Sequence, residues 1–301
     1  MIELKNEKIA VPVVLFAGLL WSFGPLVVRY MDQPNLVPWQ YIFGRGLTIF
    51  ILLNLYLYFE EGINFYKNYK KVGKSGLLGG CGLGIAMISF IYSITNTTAA
   101  ITLLCLAAMP FFTALLAFLF LKERISFNVW VSIILATIGI IIMALGNTEK
   151  SSVIGFIFGI TSSIGFSVFS VTLRWRKETP KFTTVAIAGL FCFVIATIVI
   201  LSKSQSFFAT SYNSSMFSLH GTLVCLGLIL YSIGSKAIPA AELTLLSLTE
   251  VIGGIFWVWL PLFGINEVPS TNTIVGGFFL FISLTYYSLI MRWNKRYIAL
   301  N

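Results

Sequence analysis

Long apolar stretches alternate with polar connections along the whole chain. Ten stretches can be delimited, at 9–30, 37–59, 76–95, 99–121, 127–146, 152–174, 182–201, 218–236, 240–262 and 271–292. Each is close to the roughly 20 residues that a helix needs to span a bilayer. The pattern predicts an all-α integral membrane protein with ten transmembrane helices. Most connections are short. The exceptions are the basic loop Glu60–Ser75 and the Ser/Asn-rich loop Ser202–Ser218, whose aromatics suit an interface.

Two stretches carry a charge where none is cheap. Glu250 sits in the middle of the run Thr244–Phe263, and Arg45 lies well inside the second run. An ionisable side chain at such depth is costly and marks a candidate site.

Composition fits the same class. The 301 residues are 57% hydrophobic and 10% charged, against roughly 25% charged in a soluble domain. The net charge of +9 changes meaning once Lys and Arg are sorted by side. With the N-terminus in the cytoplasm, 16 fall inside and three outside, namely Arg29, Lys150 and Lys203. That asymmetry places both termini in the cytoplasm. It points to a multi-pass plasma membrane protein, the inner membrane in a bacterium. No nucleic-acid partner is implied. Cys81, Cys105, Cys192 and Cys225 all lie inside apolar runs without a CxxC spacing, so no metal site, disulfide framework or cofactor is expected. The first run is too long for a signal-peptide core and reads as a retained helix.

The chain also resembles itself. Gly18-Leu-Leu-Trp21-Ser22-Phe-Gly24 resembles Gly159-Ile-Thr-Ser162-Ser163-Ile-Gly165 at an offset of 141. Thr102-Leu-Leu-Cys105-Leu106 resembles Thr244-Leu-Leu-Ser247-Leu248 at an offset of 142. The offsets pair spans one to five with six to ten, giving repeats at 1–147 and 148–301 within one membrane domain. Five is odd, so the second copy enters from the opposite side. This is an inverted-topology repeat, whose substrate site is expected near the midplane between the copies.

These features resemble the drug/metabolite transporter superfamily, in its ten-helix EamA-type branch. The resemblance is carried by the entry Gly18–Gly24, Arg45, Ala99-Ala100, and Pro110-Phe-Phe-Thr113 leading to Leu121-Lys122-Glu123. In the second half it is carried by Thr249-Glu250, Trp257-Val-Trp259 and Glu267-Val-Pro269. It implies a secondary transporter or facilitator. The chain departs in having no proline after Glu250 and a longer spacing from Glu250 to Glu267, so a bulge is expected around Pro261.

Helical spacing puts Glu250, Gly254, Trp257 and Pro261 on one face. Glu250 is either a binding or proton-carrying group, or a protonated structural one. Arg45 is either an anchor for a carboxylate or phosphate, or a lock on a backbone carbonyl or on Glu250. Trp21 walls a cavity or fills a core. Trp257 is placed for a cation–π contact with an amine. Tyr92 and Asn96 line a cavity mouth or form an ordinary interfacial end. Glu250, Arg45, Trp21 and Trp257 are expected around one central cavity, with Gly253-Gly254 leaving room beside the acid. Gly76, Gly80 and Gly84 form a stripe for close packing. Trp39, Trp130, Trp175 and Trp293 read as interfacial belt residues. His220, the only histidine, reads as interfacial, and Glu123 and Glu267 as end charges able to gate.

The function expected is transport of small organic metabolites, amino-acid-like, zwitterionic or amine compounds, by alternating access, with a monomer sufficing. A coupling proton on Glu250 and passive facilitation both remain open. An intramembrane lipid-modifying enzyme would need paired aspartates, HExxH or a Ser–His pair. Asp32 is the only aspartate and His220 the only histidine, so no enzyme is expected. A structural or sensory protein is the other alternative.

Overall fold

The computed structural model describes residues 7–145, 153–176, 178–265 and 268–300. The repeat boundary at 147/148, Lys150, Lys177 and Glu267 lie outside the described residues, as does the side chain of Trp293. Among the described residues, eight helical segments are long and apolar enough to cross a membrane. Two shorter apolar helices, Phe127–Ile142 and Ile274–Tyr287, make ten. The fold is all-α.

The first span is built from α1 (Glu7–Ser22) and α2 (Gly24–Tyr30), broken at Phe23 with Pro25 in the first turn of α2. The second is α3 (Pro38–Glu61), closed by Gly62 at φ 64, a left-handed position that glycine takes without a Cβ penalty. The short α4 (Lys67–Lys71) leads to α5 (Gly73–Asn96), the third span. The fourth is split into α6 (Ala99–Leu106) and α7 (Met109–Leu116), and α8 (Phe127–Leu145) is the fifth. Then come α9 (Val153–Trp175), α10 (Lys181–Ser202) and α11 (Ser211–Gly234). The ninth span is split into α12 (Ala240–Leu246) and α13 (Thr249–Trp259), and α14 (Thr271–Leu300) is the tenth.

The breaks have chemical causes. Pro110 has no N–H to donate, and Phe111 N bonds to Ala108 O instead, at 3.1 Å. In the ninth span Glu250 N bonds to Ser247 O at 2.9 Å and Val251 N to Leu248 O at 3.0 Å, a locally tightened turn. After α13 the chain makes a 3-10 turn at Pro261–Phe263 that ends on Gly264 at φ 71. The bulge expected around Pro261 takes this form.

The larger helix interfaces fall in pairs. The third span (α5) packs on the sixth (α9), and the eighth (α11) on the first (α1). The third packs on the seventh (α10), and the eighth on the second (α3). The fourth packs on the sixth, and the ninth on the first. The pairs two–seven, four–nine and five–ten complete the set. Exchanging spans one to five with six to ten maps this set onto itself.

The segments that match in sequence meet across the halves in the same way. A Cβ on Gly18 would stand 3.2 Å from Ser247 O, and one on Gly159 would stand 2.7 Å from Cys105 Cβ. Backbones also cross closely at Gly82 and Gly165, where a Cβ on Gly165 would lie 2.6 Å from Gly82 O. The stripe at Gly76, Gly80 and Gly84 faces α10, against Thr184, Ile187 and Phe191.

A side chain forced into the Gly82–Gly165 crossing must separate two backbones. Gly165→Val is expected to cost about 1–3 kcal/mol. Ile164→Val, on the exposed side of the same helix, should change little. Thermal unfolding in detergent micelles checks both. Equal midpoints for the two variants would contradict the close crossing.

Candidate functional site

A central cavity lies where the broken spans meet. It draws Trp21 from the first span, Arg45 from the second, His220 from the eighth and Glu250 from the ninth. The remaining wall is mostly apolar, with Leu83, Met87, Leu106 and Met109 from the third and fourth spans. Its volume is about 50 Å³, traced by the centre of a water-sized sphere, enough for about three to five waters at roughly 10–15 Å³ each.

Arg45 is 5% exposed. Its Cζ lies 5.5 Å from the centroid of the Phe90 ring, and among the described residues its Nε and Nη1 have no hydrogen-bond partner. Glu250 is 9% exposed and sits in the first turn of α13. The positive end of that half-helix favours a carboxylate there. Neither charge has an ion-pair partner within 4.0 Å among the described residues. The two charges thus face one small space without neutralising each other in direct contact. Met109, the first residue of α7, lines the same cavity.

Trp21 walls the cavity and is anchored there. Its Nε1 donates to Val224 O at 3.2 Å, and its ring packs edge-on to Phe166 at 5.6 Å. Trp257 lies outside the lining. Its Nε1 donates to Ser22 Oγ at 2.8 Å and its ring stacks on Phe23 at 4.8 Å, so it braces the break in the first span. Gly253 and Gly254 leave no free space beside the acid, because Ser22, Pro25 and Leu103 fill it. Tyr92 also lies outside the lining, between Trp39 at 5.4 Å and Phe158 at 5.0 Å. Exposed Asn96 donates to Tyr92 O at 2.8 Å within its own helix.

The residue that sequence reading misplaced is His220. It is 2% exposed, lines the cavity and pairs through Nδ1 with the hydroxyl of Tyr41. The reason is a boundary: α11 begins at Ser211, capped by Thr210. His220 is therefore more than two turns inside the helix rather than at its start. A polar cap followed by polar residues hides that extension from a hydropathy window.

Helix α9 holds the site together with hydroxyls. Ser162 Oγ donates to Ala86 O at 2.9 Å and Ser167 Oγ to Met109 O at 3.1 Å. Ser163 Oγ donates to Cys105 O, and Ser170 Oγ pairs with Tyr231 OH at 2.7 Å. At one end Arg174 Nε pairs with Glu123 Oε1 at 2.7 Å, while Nη1 donates to Ile238 O at 2.7 Å and Ser235 O at 3.3 Å. At the other end Tyr30 OH donates to Phe263 O at 2.7 Å, and Asp32 and Asn213 exchange two hydrogen bonds at 2.9 Å.

Ten apolar helices surround a small, mostly apolar cavity that holds Arg45, His220 and Glu250. Residues 8–145 match the EamA-like transporter family, in keeping with the resemblance carried by the sequence motifs. An uncharacterized transporter of Helicobacter pylori strain J99 is 27% identical over 164 residues, covering 54% of this chain and 52% of that protein. The alignment thus spans about half the length of that relative. An uncharacterized transporter of Helicobacter pylori strain 26695 is 23% identical over 252 residues, 80% of each chain. The pseudopaline exporter CntI of Pseudomonas aeruginosa strain UCBPP-PA14 is 25% identical over 197 residues, 64% of this chain and 66% of that one. A solved crystal structure superposes with a TM-score of 0.72 at 16% identity, covering 95% of this chain and 99% of that one. That likeness shows the fold.

The clasp at Arg174 separates two energies. Glu123→Ala removes a partly exposed ion pair, worth about 0.2–1 kcal/mol. Arg174→Ala also strands the carbonyls of Ser235 and Ile238 and is expected to cost about 1–3 kcal/mol. Thermal unfolding of both variants gives the order. An equal loss would show that the carbonyl contacts contribute nothing.

Proposed function

We propose that the chain is a secondary transporter or facilitator of small amine or zwitterionic metabolites, working by alternating access through the central cavity. The observation that carries this reading is the pair Arg45 and Glu250. Both are buried, both line one cavity, and neither has an ion-pair partner within 4.0 Å among the described residues. A charge left inside a membrane protein without a partner costs at least roughly 2.5–3.5 kcal/mol. A cargo carrying a carboxylate and an amine offsets both charges at once, and the apolar wall accepts the remainder of the molecule. The relatives named as transporters, one of them an exporter, support a transport role rather than turnover. A single chain encloses the cavity, so a monomer suffices.

The two halves, 1–147 and 148–301, are the proposed moving units. Rocking one against the other would open the clasp at Arg174 and the contacts around Tyr30 in turn. The proposed setting is the inner membrane of a bacterium, with both termini cytoplasmic. The Lys and Arg asymmetry supports that orientation.

Orientation is checked with single cysteines in a background lacking the four native ones. An impermeant thiol reagent applied from outside should label position 210 and spare position 70. The reverse pattern would invert the topology.

Transport is checked in proteoliposomes with a panel of radiolabelled amino acids and betaines. Arg45→Gln should lose binding of compounds with a carboxylate. Glu250→Gln keeps the shape and removes the charge. If Glu250 carries a coupling proton, this variant still exchanges cargo but fails to accumulate it under a pH gradient. If Glu250 only holds an amine, affinity falls at every pH. Wild-type behaviour of both variants at normal expression would refute the reading.

A further inference from the structure

We propose that His220 is a second donor for the cargo's carboxylate beside Arg45, with Tyr41 as the positioning residue that fixes its tautomer. The inference rests on the proposed cavity and adds a residue that the pairing of Arg45 with Glu250 leaves unused.

Three observations carry it. First, His220 and Arg45 line the same cavity and share one neighbour. The Arg45 Cζ is 5.5 Å and the His220 ring centroid 6.2 Å from the centroid of Phe90. Second, Tyr41 is fully buried, and its hydroxyl meets His220 Nδ1. That hydroxyl has one proton to place, and no other acceptor is found for it among the described residues. Were Nδ1 protonated, the Tyr41 proton would be left buried without an acceptor, a loss of about 1–3 kcal/mol. The satisfied arrangement has Tyr41 donating to Nδ1, so the imidazole proton sits on Nε2. Third, Nε2 has no protein partner among the described residues. It points toward Gly24, where an added Cβ would come within 2.7 Å of it. The absence of a side chain at Gly24, at the break in the first span, is what leaves this nitrogen room.

Arg45 brings two unpartnered buried nitrogens, Nε and Nη1. The Arg45 guanidinium and the His220 Nε2–H, on two residues that line one cavity, are the proposed donors for a planar anion of two oxygens. A carboxylate fits a cavity of about 50 Å³. Stacking of Tyr41 on Phe217, 4.9 Å between centroids, holds the phenol in place between α3 and α11.

The single histidine makes the test direct. Purified protein labelled with ¹⁵N-histidine, and carrying a tag without histidine, gives one imidazole spectrum. In the wild type the spectrum should show an unprotonated Nδ1 and a protonated Nε2. Tyr41→Phe should populate both tautomers. Acetate should move the Nε2 signal and acetamide, its neutral analogue, should not. The acetate effect should vanish in Arg45→Gln. His220→Phe should weaken acetate binding roughly tenfold or more, and His220→Gln, whose amide can donate, should keep most of it.

A protonated Nδ1 in the wild type, or an Nε2 signal that acetate leaves in place, overturns the inference. If acetate binding is seen on the acetate signal and depends on Arg45 while Nε2 stays still, the proposed function stands and this inference falls. If acetate binds neither group, both fall.

Discussion

A backbone group without a partner costs several kcal/mol in hydrocarbon, and this constraint shapes the centre of the molecule. The first, fourth and ninth spans all break near their middles, each at a turn that frees carbonyls. Neighbouring hydroxyls take up those carbonyls. Ser163 and Ser167 of α9 donate to Cys105 O and Met109 O at the break in the fourth span. Ser247 Oγ donates to Thr244 O at the break in the ninth, at 2.7 Å. Breaks satisfied in this way leave half-helix starts facing the cavity, and one of them carries Glu250.

The same economy explains the serines and glycines of the interface. Lipid supplies no hydrophobic drive for one helix to prefer another. Close approach and short hydrogen bonds must do it instead. Gly82 against Gly165 and Gly18 against Ser247 let backbones touch, and the hydroxyls of α9 stitch α5, α7 and α11 to it. Each such bond is worth only about 0.6 kcal/mol on average, so the assembly depends on many of them acting together.

Symmetry builds the cavity and asymmetry equips it. The packing of the halves is exchanged by the repeat, yet the groups that matter are single. Glu250 stands where the same offset of 142 places Ala108 in the first half. Trp21 stands where the other copy has Ser162, and that serine lines the same cavity. The cargo proposed above has two unlike ends and needs unlike walls, and the difference between Trp21 and Ser162 supplies one.

Hydropathy and charge made the spans legible from sequence alone, because transfer of each segment into lipid is a local free energy summed over its own residues. The ten segments and the buried positions of Arg45 and Glu250 followed from that. Helix ends at polar caps did not follow, and so His220 was read at an interface when Thr210 had already started the helix. Nor did the roles of Trp257, Gly253 and Gly254, which sit on the expected face of the ninth span but meet Ser22, Phe23, Pro25 and Leu103 instead of open space. Which side of a buried helix faces a cavity depends on the neighbour that arrives there. Those contacts join residues from 151 (Leu103 and Gly254) to 235 (Ser22 and Trp257) positions apart, and only the folded chain brings them together.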